Sequence, residues 1–430
     1  MTFFFWNRRH RRKKISNRIM ENKKKDVIFV PKEIVIEILR RVPGHDLAEK
    51  LKMVCMQWCS IIHTGSFAYL HIEQRIKSSS FSQLEAVIVA FDGNENRSVK
   101  ISSLEWHTSY NQNDHQFEDW KTKHLCTTKD VVAKDVLLGR NFNPWKNIIW
   151  ANSVNGFVCF WFFFDKTCVH VFNPVTKEYL ITAPNTYPGV GNIDLDTIVG
   201  FGFCPLSYEY KVVVLDGNSE VIKPSIFTIG TDHSWRALKV IPHHNISSVD
   251  TTVYLKGILY WYINTCTSTM VHHTRMTKTL LCFDVTKEEF DMIVVPIEIP
   301  EYSVSNVVEK GEKLCLVTLS YGPICSLLIN VYVAHNNIDD DLSNLNSWKK
   351  EFTVAAPGIA YNLDLDYYNV FTIIVTDEIV VIQLSDYDSG FFHVATGKLL
   401  GLFSTTRATL IPYKSSLVAF CHRPLLPTFS

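Results

Sequence analysis

FNPVTKE at 172–178 returns as FDVTKEE at 283–289 and as FHVATGK at 392–398. In each, an apolar strand end runs into a tight turn carrying Thr and a charged residue. Each also follows a strand pair that opens with NGFVCF (155–160), KGILYW (256–261) or DEIVVI (377–382), so strand, reversal, strand and turn recur. Between them lie SIFTIGTDHSWRAL (225–238) and INVYVAHNNIDDDLSNLNSWKKEF (329–352), which close on Ser234-Trp235-Arg236 and Ser347-Trp348-Lys349. Taking Phe172, Phe227, Phe283, Tyr332 and Phe392 as equivalent points gives steps of 55, 56, 49 and 60 residues. A period near 50 residues with several short strands per unit predicts a β-propeller of the kelch kind. A sandwich gives turn signals every 8–12 residues but no such long period. Five units span about 150 to 400. A sixth blade is expected where strands near Glu85–Leu104 pair with ATLIPYKSSLVAF (408–420), leaving no sheet edge open. The expectation is about six blades, with seven as the alternative count.

The β-region begins near residue 85, and only roughly 109–145, rich in Asn, Asp, His and Lys, reads as an irregular insertion. Ahead of it, 74–84 is polar and Ser-rich and reads as a linker. Residues 27–73 are helical in pattern. Leu47, Leu51, Val54, Trp58, Ile61 and Ile62 fall at i, i+4, i+7, i+11, i+14 and i+15, which predicts one amphipathic helix. Ile34, Val35, Ile38, Leu39 and Val42 predict a second helix, opened by Pro31 and closed by Pro43-Gly44. Its circumference is more apolar than one neighbouring helix can cover. At roughly 1.5–3 kcal/mol per buried large aliphatic side chain, a partner that hid the excess would gain substantially.

Hydrophobic content of 47% and aromatic content of 13% describe a chain able to bury a large core. Eleven cysteines, an odd number without CxxC pairs, suit free thiols in a reducing compartment, so cytoplasm or nucleus is expected. No apolar run reaches the 18 or so residues of a membrane span, and no membrane association is expected. The first 25 residues hold ten Lys or Arg against Glu21, a net +9, and 1–26 reads as a basic, disordered tail. Met20 offers an alternative start to Met1, just ahead of the helices.

No GxSxG, HExxH or Walker-type stretch occurs, and Gly189-Val190-Gly191 lacks the rest of a dinucleotide fingerprint. His243-His244 and His272-His273 are adjacent pairs, which point to opposite faces of a strand. Cys55 and Cys59 share a helical spacing without a set of four ligands. The sequence therefore predicts no catalytic residue, no cofactor and no metal, and nothing in it points to nucleic acid.

Pro31, Glu33-Ile34, Glu37-Ile38-Leu39, Arg41-Val42-Pro43, Leu47, Val54-Cys55, Trp58, Ile61-Ile62, Phe67 and His71 together resemble the F-box found at the start of many plant F-box proteins. Val30 replaces the Leu that usually precedes the Pro, and the stretch from Leu47 to Trp58 is one residue longer than the pattern, which turns a helix by about 100°. Downstream, Asn155-Gly156, Cys159, Asn173-Pro174, Gly200-Phe201-Gly202-Phe203, Tyr210-Lys211-Val212-Val213, Trp235-Arg236, Tyr260-Trp261 and Phe283-Asp284 are similar to the F-box associated domain. Some relatives of that kind are pollen S-locus F-box proteins.

The resemblance implies an α+β multidomain chain, a helical F-box followed by an all-β, kelch-like propeller at 85–430. It implies a substrate-recognition subunit of a cullin–RING (Skp–cullin–F-box) ubiquitin ligase that catalyses nothing itself. Its Skp-type adaptor, with cullin and RING subunits behind it, would be bound through Pro31, Ile34, Ile38, Leu39, Val42, Pro43, Leu47, Leu51, Val54 and Trp58. The target protein and the loops that bind it are not specified by the sequence. The alternative is a propeller enzyme or glycan-binding protein of galactose-oxidase-like architecture with the helices as a cap.

Overall fold

The computed structural model describes residues 30–78, 85–92, 98–106, 120–127, 148–162, 165–185, 198–217, 221–242, 246–267, 275–295, 304–323, 326–334, 348–356, 372–383, 388–404 and 408–420. The basic tail, both His pairs and the Gly189–Gly191 stretch lie outside these residues.

Among the described residues, four helices come first. Pro31 (φ −53°, ψ 145°) precedes α1 (Lys32–Leu39), and Glu33 in its first turn faces the positive end of the helix dipole. Pro43 does not so much close that helix as open α2 (Gly44–Glu49). The single helix predicted from the Leu47–Ile62 stripe is broken twice. A 3-10 turn (Leu51–Met53) follows α2, and Cys55 is extended at φ −161°, ψ 165°. Its Sγ accepts the Trp58 amide at 3.5 Å, so Cys55 caps α3 (Met56–Ile62) and satisfies a donor that a helix start leaves free. The stripe survives in space: Leu47, Ile61 and Ile62 are buried, with Leu51 and Trp58 packed against them. Val54 alone swings out to 58% exposure. Helix α4 (Gly65–Ser78) runs five residues into the stretch expected to be linker.

Among the described residues, twenty-five strands form six sheets. Five are built from consecutive strands: β4 (Ile148–Val154), β5 (Phe157–Phe162), β6 (Asp165–Phe172) and β7 (Tyr179–Ile181); then β8 (Ile198–Cys204), β9 (Glu209–Gly217), β10 (Val221–Thr228), β11 (Arg236–Ala237) and β12 (Ile241–Pro242); then β13 (Ile246–Leu255), β14 (Ile258–Thr267), β15 (Arg275–Asp284) and β16 (Glu289–Val294); then β17 (Val304–Lys310), β18 (Lys313–Tyr321), β19 (Leu327–Ala334) and β20 (Trp348–Ala356); and β21 (Thr372–Val375), β22 (Ile379–Gln383), β23 (Asp388–His393) and β24 (Leu399–Ser404). The sixth is composite. β1 (Glu85–Asp92), β2 (Ser98–Trp106) and β3 (Trp120–Thr127) are joined by β25 (Ala408–Pro412), which pairs antiparallel with β1 from Ala86↔Pro412 to Ala90↔Ala408. This is the closure expected between the two ends of the β-region. β3, however, falls inside the stretch read as irregular, where its polar run from Lys121 to His124 concealed it.

The first strand of each sheet lines the ring, and neighbouring first strands touch in the order β25, β4, β8, β13, β17, β21 and back to β25. Side chains stitch them together. Asn152 accepts the Phe201 amide at 2.9 Å and donates to its carbonyl at 2.7 Å, Thr252 donates to Val199 O at 3.0 Å, and Tyr254 donates to Phe203 O at 2.7 Å.

The turns explain the repeats. Asn155-Gly156 (φ 50°, 83°), Lys256-Gly257 (47°, 87°) and Gly311-Glu312 (54°, 60°) link first to second strands with positive φ at both central positions, the type I′ geometry that matches strand twist. In FNPVTKE, Asn173 Oδ1 accepts the amides of Val175 and Thr176, and in FDVTKEE Asp284 Oδ1 accepts those of Thr286 and Lys287. Each turn has a left-handed residue, at Lys177, Glu288 and Gly397 respectively. The repeated Asn, Asp and Thr are therefore local backbone-capping devices.

Two buried ammonium groups clamp adjacent blades. Lys211 in β9 meets Glu288 at 2.8 Å and Val285 O at 2.9 Å, while Arg236 grips the same carboxylate at 2.9 Å through both terminal nitrogens. With Arg236 and Lys211 both donating, Glu288 is held well below the usual carboxylate range, at about 2. Lys310 likewise joins Glu351 at 2.8 Å and Asp377 at 2.7 Å.

Candidate interaction surface on the helical module

Helix α1 divides its apolar residues between two faces. Val35 and Leu39 are buried, at 3% and 0% exposure, in a core shared with Leu47, Ile61, Ile62, Phe67 and Ile72. Ile34 and Ile38, one turn apart on the other side, are 49% and 51% exposed. The 3-10 turn and the start of α3 add Met53, Val54 and Met56, at 78%, 58% and 86%. Scattered single apolar residues on a surface are ordinary, but seven of the thirteen exposed large hydrophobics among the described residues fall within 30–78. Glu37 lies between, paired with Arg40 at 3.0 Å and Arg41 at 3.8 Å.

The ten residues expected to meet a partner separate into three groups. Pro31, Ile34, Ile38 and Val54 are exposed, and Val42, Pro43, Leu51 and Trp58 are partly buried. Leu39 and Leu47 are sealed, so their side chains serve the core and offer no contact surface. Leu51 is thus the more accessible of the two leucines flanking the extra residue. Met53 and Met56 were missed, because neither fits the helical stripe once Cys55 interrupts it. Their closeness to Val54 in the chain was the available signal.

His71 in α4 ties the helices of the module to one another. Its Nε2 donates to the Val42 carbonyl at 2.7 Å, tying α4 to the segment between α1 and α2, and the ring is fully buried. Burial, assisted by the nearby Arg75 charge, pushes its pKa down to about 4 against the opposing effect of the Val42 bond. The folded protein therefore holds His71 neutral while an unfolded chain protonates it near pH 6.5. Stability from this group is complete above that value and falls as pH drops towards 4. Between pH 7.5 and 5 the wild type should lose about 2 kcal/mol more than His71→Gln in urea unfolding. Equal losses would remove His71 from the pH response.

The helices rest on the propeller face that carries the first-to-second and third-to-fourth strand turns. Tyr69 stacks on Phe203 (6.1 Å between centroids) and meets Tyr208 edge-on at 5.3 Å. Residues 413–420, directly after β25, lie between the two parts. Gly44 N donates to Ser415 Oγ at 3.3 Å. Asn173 Nδ2 donates to the carbonyls of Ser416 and Val418 at 3.2 and 2.9 Å. Phe420 stacks on Phe157 at 4.2 Å and its amide donates to Glu178 at 2.9 Å. Leu417 and Val418 belong to the same continuous core as Leu39, Leu47 and Phe201.

Elsewhere, buried thiols at Cys159, Cys282 and Cys315 are raised in pKa by burial and are unreactive core groups. Cys59 Sγ and His63 Nδ1 approach to 3.6 Å, yet no three His, Cys, Asp or Glu side chains converge as a metal site among the described residues.

Residues 95–395 match the F-box associated beta propeller domain family. Three proteins of Arabidopsis thaliana named as F-box proteins align with the chain. One is 26% identical over 275 residues, covering 62% of this chain and 59% of its own length. A second is 23% identical over 353 residues (77% and 70%), and a third is 26% identical over 296 residues (68% and 64%).

Proposed function

The chain belongs to the F-box associated β-propeller family, and from that premise we propose that it is a substrate-recognition subunit of a Skp–cullin–F-box ubiquitin ligase, working in the cytoplasm or nucleus. The observation that carries this reading is the set of exposed apolar side chains in the helical module, Ile34 and Ile38 on α1 and Met53, Val54 and Met56 around the start of α3, all uncovered by the chain's own core. An amphipathic helical partner in a hydrophobic groove is the recognition mode such a surface supports. In this reading the partner is the Skp-type adaptor, which links the chain to cullin and RING subunits.

The propeller then captures a target protein. The helices occupy the face bearing the Asn155-Gly156 and FNPVTKE turns, so the opposite face, where second strands end and third strands begin, is left for the target. The polypeptide contributes proximity rather than chemistry. It raises the effective concentration of target lysines near the charged ubiquitin carrier, and the other subunits perform the transfer.

Binding of the full-length protein to a purified Skp-type adaptor tests the reading. Ile34→Asp/Ile38→Asp should weaken binding at least 100-fold with an unchanged melting temperature, because both side chains are half exposed in the free chain. An adaptor that ignores the wild type, or binds the variant equally, overturns the assignment.

A further inference from the structure

We propose that residues 413–420 act as a coupling strap that makes ring closure and seating of the helical module one cooperative event. The strand immediately before the strap, β25, closes the propeller by pairing with β1. With no intervening connection, the chain then crosses the turn-bearing face and spends its next eight residues in contact with both parts of the molecule. Lys414 reaches Glu309 at the end of β17 at 3.3 Å. Ser415 receives the Gly44 amide, which starts α2. Ser416 and Val418 present their carbonyls to Asn173, a side chain that is itself fully buried and whose Oδ1 is engaged in holding its own turn. Phe420 ends the strap between the Phe157 ring and the edge of Tyr210, at 4.2 and 6.2 Å.

The seat of the helices is thus partly built from the strap. Leu417 and Val418 lie in one apolar cluster with Val35, Leu39, Leu47 and Phe67 on one side and Val154, Phe157 and Phe201 on the other. If β25 leaves β1, its tethered neighbours cannot hold this position, and the helical core loses a wall. Conversely, seated helices trap the strap and oppose opening of the ring. A group shared by two elements in this way transmits free energy reciprocally between them. Resting on the reading above, the consequence for function is that the adaptor surface is fully ordered only on a closed propeller.

Hydrogen exchange on the full chain tests the coupling without requiring any partner. Phe420→Ala and Asn173→Ala loosen the strap while leaving β25 and the helices intact in sequence, and Phe420→Leu replaces Phe420→Ala should that variant not fold. Amides of α2–α4 and those of β1 and β25 should all exchange at least tenfold faster in each variant, with the two sets changing in parallel. Acceleration of only one set, or of neither, overturns the coupling. Adaptor binding is measured separately on the same variants. A chain that shows coupled exchange but binds no adaptor retains the strap and loses only the ligase reading.

Discussion

Gly156→Ala is expected to destabilise the protein by about 3 kcal/mol, whereas Gly230→Ala costs about 1 kcal/mol. Both glycines have positive φ, 83° and 77°, so both substitutions carry the left-handed penalty of an L-residue. Their surroundings differ. A Cβ on Gly156 would stand 2.4 Å from Ser416 Cβ and 2.9 Å from Ser416 N, while one on Gly230 meets nothing within 4 Å. The obstacle at Gly156 is not a flexible side-chain tip. It is the Ser416 Cβ, fixed to its Cα, together with strap backbone, held by the two Asn173 hydrogen bonds, and it cannot yield without moving Leu417 and Val418 out of the core. Thermal unfolding of the two variants side by side isolates the steric part, because the conformational part is common to both. Equal shifts in melting temperature would mean that the strap gives way freely.

Glu288→Gln should cost about 3 kcal/mol, and most of this loss should vanish in the Lys211→Met/Glu288→Gln double variant. The Lys211 side chain is 8% exposed, and Glu288 is its only carboxylate partner among the described contacts. Removing the negative charge leaves a buried ammonium with the Val285 carbonyl alone. An uncompensated buried charge is far more expensive than the net worth of the pair, which is why deleting both members restores stability. Arg236 contributes little to the loss, because its side chain is 43% exposed and water can replace the carboxylate. Urea denaturation of the four proteins completes the cycle. A double variant no more stable than Glu288→Gln would show that Lys211 is held by packing rather than by charge.

The propeller was legible because its information is local and repeated. Phe172, Phe227, Phe283, Tyr332 and Phe392, aligned by pattern alone, all fall on the third strand of their sheets, in β6, β10, β15, β19 and β23. The turn heptads revealed themselves through Asn173, Asp284 and Thr396, whose side chains bond backbone groups only two or three residues away. The helical module was less transparent. Its apolar stripe is real, but the 3-10 turn at Leu51–Met53 and the Cys55 cap split the helix that carries it, and capping by a thiol is too weak a sequence signal to anticipate. The residues most exposed to a partner, Met53 and Met56, follow from that break. Least legible was the strap. Ser415 and Gly44 are 371 positions apart, and nothing in either segment announces the other. Resemblance to a known family named the docking residues as a set, but packing decides which of them face outward, and Leu39 and Leu47 do not.

The pairing of β1 with β25 also sets a schedule for synthesis. β1 leaves the ribosome well before its partner β25, which is made roughly three hundred residues later. At about 5–20 residues per second, the wait lasts tens of seconds. For that interval β1 presents an unsatisfied strand edge carrying Val87 and other apolar residues, and no folding of the later blades can cover it. An unpaired edge of this kind is open to pairing with other chains, and a ribosome stalled before residue 408 releases a product with that edge permanently open. Yield in cells should then depend on translation completing, to a degree that the stability of the finished ring gives no hint of.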